Sequence, residues 1–278
     1  MTADALRARA ARFLALHRGS RMLVLPNAWD GGSARVFEQA GFSALGTTSA
    51  GIAISLGYPD GERISRDEMI AAVARITRVV DLPVSADLEM GYGATAAEVA
   101  DTAKAAMAAG AVGLNVEDGR PDGGRVIEIE EHTERVRAIR AAADAASVPF
   151  VINARVDLYL LAIGDAAWRF EETVRRANAY REAGADCIFV PLVNDAETIG
   201  RLVRSIHAPL NVLAVKGTPP VAELQALGVA RVSVGSGPLR ATFALTQRIA
   251  RRMKDEGTFS AFTDDTVPLR EVNRLFTR

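Results

Sequence analysis

The chain has 278 residues, 49% of them hydrophobic, with 33 basic and 34 acidic side chains and a net charge of −1. This balance, without any block of like charge, argues against nucleic acid and anionic membranes as partners. A single cysteine, Cys187, excludes an internal disulfide, and no run of 18 apolar residues is present that would span a membrane.

The first helical pattern covers 4–17 and carries Arg7, Arg9 and Arg12 among alanines. It has no signal-peptide core and reads as an amphipathic surface helix, so a cytoplasmic protein is expected. A short apolar strand at 22–25 then leads into Pro26–Asn27–Ala28–Trp29–Asp30. Further strands are predicted at 44–47, 83–87, 112–116, 150–154, 187–190, 210–214 and 231–234. Helical patterns lie between them near 30–40, 66–80, 95–109, 131–145, 167–183, 195–205 and 219–226, and one more follows at 238–254. Ala40–Gly41, Ala109–Gly110, Ala183–Gly184 and Leu227–Gly228 each close a helical pattern two or three residues before a strand. Glycine suits the left-handed position that ends a helix. Short strands alternating with helices predict a parallel sheet. Eight such units predict an α/β fold of the (β/α)8 TIM-barrel type, with an N-terminal helix and a C-terminal helical extension, as one domain over 1–278. A doubly wound open sheet is the alternative, but no glycine fingerprint follows strand 1. The stretch 257–278 holds Phe259, Phe262, Val267, Leu269, Val272, Leu275 and Phe276, too apolar for a free tail, and is expected to pack on its own barrel or a neighbour's.

Barrel enzymes gather their chemistry after the C-terminal ends of the strands. Thr47, Thr48, Ser49, Gly51 and, in a long loop, Asp60 follow strand 2; Asp87 and Glu89 follow strand 3. Asn115, Glu117 and Asp118 end strand 4; Asn153, Arg155 and Asp157 end strand 5. Residues i and i+2 of a strand face the same side, so Asp87 and Glu89 are able to aim at one point before the turn at Gly91 and Gly93. Converging carboxylates repel unless a cation or proton lies between them, and hard divalent cations take such oxygen ligands. Arg155 offers a planar fork for a carboxylate or phosphate; its structural alternative is a pair with Asp157 or Glu117. His132 opens a helix and is expected at the surface or in a cap. Gly235–Ser236–Gly237 suits either a phosphate site or a tight turn.

These residues in this order give the chain a likeness. With Ser33–Ala34–Arg35, Thr48–Ser49–Ala50–Gly51, Ser55–Leu56–Gly57–Tyr58–Pro59–Asp60, the Asp87–Gly93 segment, Asn115–Val116–Glu117–Asp118 and Asn153–Ala154–Arg155, it resembles the isocitrate lyase and phosphoenolpyruvate mutase superfamily along nearly its whole length. The resemblance implies a Mg2+ (or Mn2+) site at Asp87, with Glu89 and Glu117 as further metal-site residues. It implies substrate contacts from Thr48, Ser49, Gly51, Asp60, Asn115 and Arg155, and catalytic roles for Asp60, Glu117 and Arg155. The implied chemistry breaks a bond next to a 2-oxo acid enolate, with a small anionic substrate, in a homotetramer whose C-terminal helices swap between subunits. The cysteine motif that the lyases carry on the loop after strand 4 is replaced by Glu117–Asp118–Gly119–Arg120–Pro121–Asp122–Gly123–Gly124–Arg125, where Arg120 and Arg125 suit either a lid over an anion or a solvated face. The reading preferred is a C–C lyase or decarboxylase of a 2-oxo or substituted dicarboxylic acid. Phosphonopyruvate-type P–C chemistry, with Asp60 as the phosphoryl shuttle, and a non-catalytic 2-oxo acid binder are the alternatives.

Overall fold

The computed structural model describes residues 1–277. Its parallel strands are β1 (Leu23–Leu25), β2 (Asn27–Ala28), β3 (Leu45–Thr47), β4 (Val84–Asp87), β5 (Gly113–Glu117), β6 (Val151–Arg155), β7 (Cys187–Val190), β8 (Leu210–Leu213) and β9 (Arg231–Ser233). They run in the order β1-β9-β8-β7-β6-β5-β4-β3-β2, so the two ends of the sheet are consecutive in the chain. β1 and β2 are halves of one barrel strand, parted at Pro26. β1 pairs with β9 and β2 with β3, which closes an eight-position ring. Proline has no N–H to give a ladder. The side chain of Asn27 bonds across the break: its amide donates to the carbonyl of Thr47 (2.7 Å), and its oxygen accepts from the amides of Val234 (2.8 Å) and Gly235 (3.0 Å).

The outer helices are α2 (Gly31–Gln39), α4 (Arg66–Val79), α5 (Ala96–Ala108), α6 (Ile129–Ala145), α7 (Ala166–Glu182), α8 (Ala196–Ser205) and α9 (Val221–Ala226), with α3 (Ser49–Ser55) inserted after β3. Side-chain caps start several of them. Asp30 and Ser33 form a reciprocal capping box on α2, as do Ser65 and Glu68 on α4 and Thr95 and Glu98 on α5. Gly41, Gly110, Gly184 and Gly228 have φ of 86°, 92°, 115° and 90°, the left-handed helix end read from the repeat. α1 (Ala3–Leu16) lies against the barrel with Phe13 fully buried; its ring comes within 3.1 Å of where a side chain at Gly113 would begin. Truncating such a phenylalanine costs about 3–5 kcal/mol.

Two expectations are corrected here. The segment after β3 is not a loop as far as Asp60. Thr48 accepts from the amide of Gly51 (3.2 Å) and starts α3, leaving only the stretch from Leu56 onward as loop. His132 is neither at the surface nor a cap. It is fully buried in α6, its ring centroid 4.4 Å from that of Tyr180, and burial among Arg135 and Arg176 pushes its pKa down to about 3.

α10 (Gly237–Arg251) continues through a wider turn at 252–256 into α11 (Ser260–Thr263) and α12 (Leu269–Arg274). Leu239 is the buried residue of α10, and none is buried in α11 or α12. Phe243, Phe259, Val267 and Leu269 are exposed. The tail touches its own barrel where the Arg35 guanidinium donates to the carbonyl of Leu275. Among the described residues no helix is long and apolar enough to cross a membrane.

Candidate active site

Barrel interiors are ordinarily layered with Val, Ile and Leu. This one is polar: Ser85, Asp87, Asn115, Asn153, Asn211, Arg231 and Ser233 are all buried. The side chains meet because β4, β5 and β6 pair in register, Asp87 opposite Asn115 and Asn115 opposite Asn153. Asp87 ends β4. One of its carboxylate oxygens accepts from the Ser49 amide (2.9 Å) and hydroxyl (2.8 Å), the other from the side-chain amide of Asn115 (3.1 Å). Its own amide donates to the Thr47 hydroxyl (2.8 Å). Asn115 is oriented in turn by Asn153, which donates to its oxygen (2.7 Å). The Arg231 guanidinium reaches the same oxygen at 3.4 Å. Arg231 is fully buried, two of its nitrogens have no partner, and burial lowers its pKa to about 10.

Arg155 ends β6 at the rim of this floor. It bridges Glu117 (2.5 Å) and Asp157 (2.6 Å), and its guanidinium carbon stands 5.8 Å from the Phe189 ring centre. Both carboxylate partners anticipated from the sequence are therefore engaged. Burial works against the charge of Arg155, but Asp157 and Glu117 outweigh it and raise its pKa. Asp157 is fixed from behind, its amide donating to Asp118 (2.9 Å), which also accepts from Tyr180 (2.7 Å) and Arg176 (3.1 Å). Burial, with the charge of Asp157, lifts the Asp118 pKa to about 6. Gly119 follows, and a side chain there would begin 2.3 Å from an Asp157 oxygen. From Gly119 the chain forms a small hairpin closed against Val126, the Arg120 amide donating to the Arg125 carbonyl (3.0 Å). Arg120, Arg63 and Gly61 line a cleft of about 350 Å³ between this hairpin and the Asp60 loop.

Asp60, Asp87, Glu89 and Glu117 occupy one electrostatic neighbourhood. The Asp60 carboxyl is raised by burial and then by the charge of Asp87, and Glu117 is raised by burial with Asp87 and Glu89 adding to it. Asp87, Glu89 and Glu117, the expected metal-site residues, each have partners of their own. Among the described residues no three acidic, histidine or cysteine side chains stand close enough to share an ion. One oxygen of Glu89 accepts from the Glu62 amide (2.5 Å) and the other from the Tyr92 hydroxyl (3.0 Å). Glu117 is drawn onto Arg155. Of the expected substrate residues, Ser49 and Asn115 face Asp87 directly, whereas Thr48 caps α3. Gly51 is required for close packing, since a side chain there would begin 2.5 Å from Thr48. Sequence reading gave no role to Glu62, Tyr92 or Arg231. Asp157 was visible, two residues beyond Arg155 on the same strand face.

A family model described as phosphoenolpyruvate phosphomutase matches residues 13–254. The 2-methylisocitrate lyase of Escherichia coli is 31% identical over 240 residues, covering 82% of this chain and 78% of its own. The 2,3-dimethylmalate lyase of Eubacterium barkeri is 30% identical over 282 residues, covering 96% and 93%. A crystal structure from Burkholderia cenocepacia, named as a lyase/mutase, superposes with a TM-score of 0.91 at 40% identity, over 99% of this chain and 98% of that one.

Proposed function

Because the chain belongs to the phosphoenolpyruvate phosphomutase family, among the lyases of the PEP mutase/isocitrate lyase superfamily, we propose that it is a divalent-metal-dependent enzyme that cleaves or decarboxylates a small 2-oxo or substituted dicarboxylic acid in the cytoplasm. The observation that carries this reading is Asp87, held from both sides by Ser49 and Asn115 beneath the paired Arg155. The donor set is all oxygen, with neither thiolate nor imidazole at the mouth, and it carries more acid than base. That suits Mg2+ or Mn2+, and Mg2+ in particular keeps several of its waters. Asp87 would hold the ion, with Asp60 and Glu117 meeting its water shell. When bound, the ion supplies a Lewis acid for the enolate oxygen.

The protein's own groups do the rest. Ser49 and Asn115 fix the Asp87 carboxylate before substrate arrives, so no reorganisation is needed during the reaction. Arg155 is pre-aimed by Asp157 and Glu117 and grips the substrate carboxylate. Glu117, its carboxyl lifted by burial against the pull of Arg155, would hold or release a proton within this cluster. The hairpin 119–126 excludes water from above.

The test is incubation with Mg2+ and a panel of oxaloacetate, substituted malates and phosphonopyruvate. Pyruvate or a homologous 2-oxo acid released from a dicarboxylate is the expected result. Phosphonopyruvate turning over to phosphoenolpyruvate alone moves the enzyme to P–C chemistry, and tight binding without turnover makes it a binder. The uncovered apolar faces of α10–α12 support a homotetramer in which these helices lie on a neighbouring subunit.

A further inference from the structure

Among the side-chain-bearing residues with left-handed backbone, three are bonded to one another beside the Asp60 loop: Glu62 (φ 53°), Glu89 (φ 51°) and Tyr92 (φ 53°). This region disfavours any residue but glycine and persists only where the surroundings impose it. Here the three impose it on one another. Glu89 accepts from the Glu62 amide and the Tyr92 hydroxyl, and Glu62 accepts from the Tyr92 amide (3.0 Å). The turn that carries Glu89 and Tyr92 is itself immobilised. Buried Arg135 of α6 donates to the carbonyl of Met90 (3.1 Å), and side chains at Gly91 and Gly93 would begin 2.7 Å from Val99 and 2.6 Å from Glu98. The Asp60 loop has no secondary structure between Leu56 and Ser65, and it is tied to this turn through Glu62.

We propose that Glu89, Glu62 and Tyr92 form a clamp that fixes the Asp60 loop over the barrel mouth, and that Glu89 is a positioning residue rather than a ligand of the metal. Its oxygens are directed to the Glu62 amide and the Tyr92 hydroxyl, whereas those of Asp87 are directed by Ser49 and Asn115, and among the described residues no third acidic side chain joins the two closely enough to share an ion. An aspartate at this position would be one methylene short of spanning the Glu62 amide and the Tyr92 hydroxyl. The metal part of this inference rests on the function proposed above; the clamp does not.

The experiment uses the full chain and Mn2+ alone as the probe, with calorimetric titration, hydrogen exchange across 58–63 and steady-state kinetics. Glu89→Gln keeps Mn2+ affinity within about threefold and keeps the loop protected, because its carbonyl still accepts from Glu62 and its amide donates to a rotated Tyr92 hydroxyl. Glu89→Asp and Tyr92→Phe keep Mn2+ binding but speed exchange in 58–63 by about tenfold. Their kcat falls by about tenfold with little change in KM, as expected when a reacting group is displaced. Asp87→Asn serves as the reference and loses Mn2+ by roughly 100-fold. If Glu89→Gln weakens Mn2+ as much as Asp87→Asn does, Glu89 is a ligand and the inference is overturned. Unchanged exchange in both Glu89→Asp and Tyr92→Phe overturns the clamp. If Asp87→Asn retains Mn2+, the proposed metal site fails while the exchange data still decide the clamp.

Discussion

The barrel mouth and the C-terminal extension differ in opposite ways. At the mouth the charged groups are held by partners within the chain: Asp87 has three donors and Arg155 two carboxylates, with Asp157 anchored through Asp118 to α7. In the extension almost every large apolar side chain lacks cover; Leu269 is 74% exposed, Val267 61% and Phe259 58%. One region is finished by intrachain bonds and prepared for a small charged ligand. The other leaves its large apolar side chains open. Under the proposed function, chemistry and assembly fall in separate parts of the chain, and substitutions should separate them as well.

The sharpest break is at the floor. Asp87→Ala is expected to lower metal-dependent turnover by about a thousandfold or more, with the sizing profile unchanged. Retained turnover would remove the site. Next comes Arg155→Lys, which keeps the charge but loses the fork shared by Glu117 and Asp157. Its kcat/KM should drop by about 100-fold, again without a change in assembly. The extension should behave in reverse. Leu269→Asp withdraws an apolar contact worth about 1.5–3 kcal/mol when buried, so light scattering should show smaller particles at low concentration. A particle mass identical to that of the unaltered chain would show that this face stays in water.

The smallest expected effect concerns support behind the mouth. His132 is neutral in the fold, with its pKa pushed down to about 3, so between its ordinary value of 6.5 and about 3 the unfolded chain binds a proton that the native chain does not. Stability should fall as pH falls through that window, with this residue contributing about 1.4 kcal/mol per pH unit. His17, lowered to about 4 by burial, acts in the same direction. Urea unfolding at pH 7, 6 and 5 should show a shallower loss for His132→Gln; an equal slope would place the titration elsewhere.

The barrel was legible because its signals are local. A glycine that ends a helix and the four apolar residues after it lie within one window, and the expected strands match the observed ones to within a residue or two. The second half of strand 1 escaped because a two-residue segment after a proline carries no periodicity. α3 escaped because Ala50–Gly51–Ile52–Ala53–Ile54 has no polar face to mark a helix. The position of Asp87 at the end of a strand was legible from the apolar run before it. The true partners of Glu89 were not, since Glu62 lies 27 residues away and contributes a backbone amide, which no side-chain pattern records. Arg231 was hidden for a related reason. One charged residue in a three-residue strand looks like a strand end, yet its pairing with Leu23 and Asn211 turns it into the interior.

The break at Pro26 has a temporal consequence. The ladder partner of Leu23 is Arg231, so the earliest strand to leave the ribosome has no neighbour on that side until some two hundred further residues have been translated. Ring closure therefore waits for the last strand, and Asn27 is the suture that completes it by joining Thr47 to Val234 and Gly235. Until then the nascent chain presents an open parallel edge, which makes this seam the place where a chaperone would have most to protect.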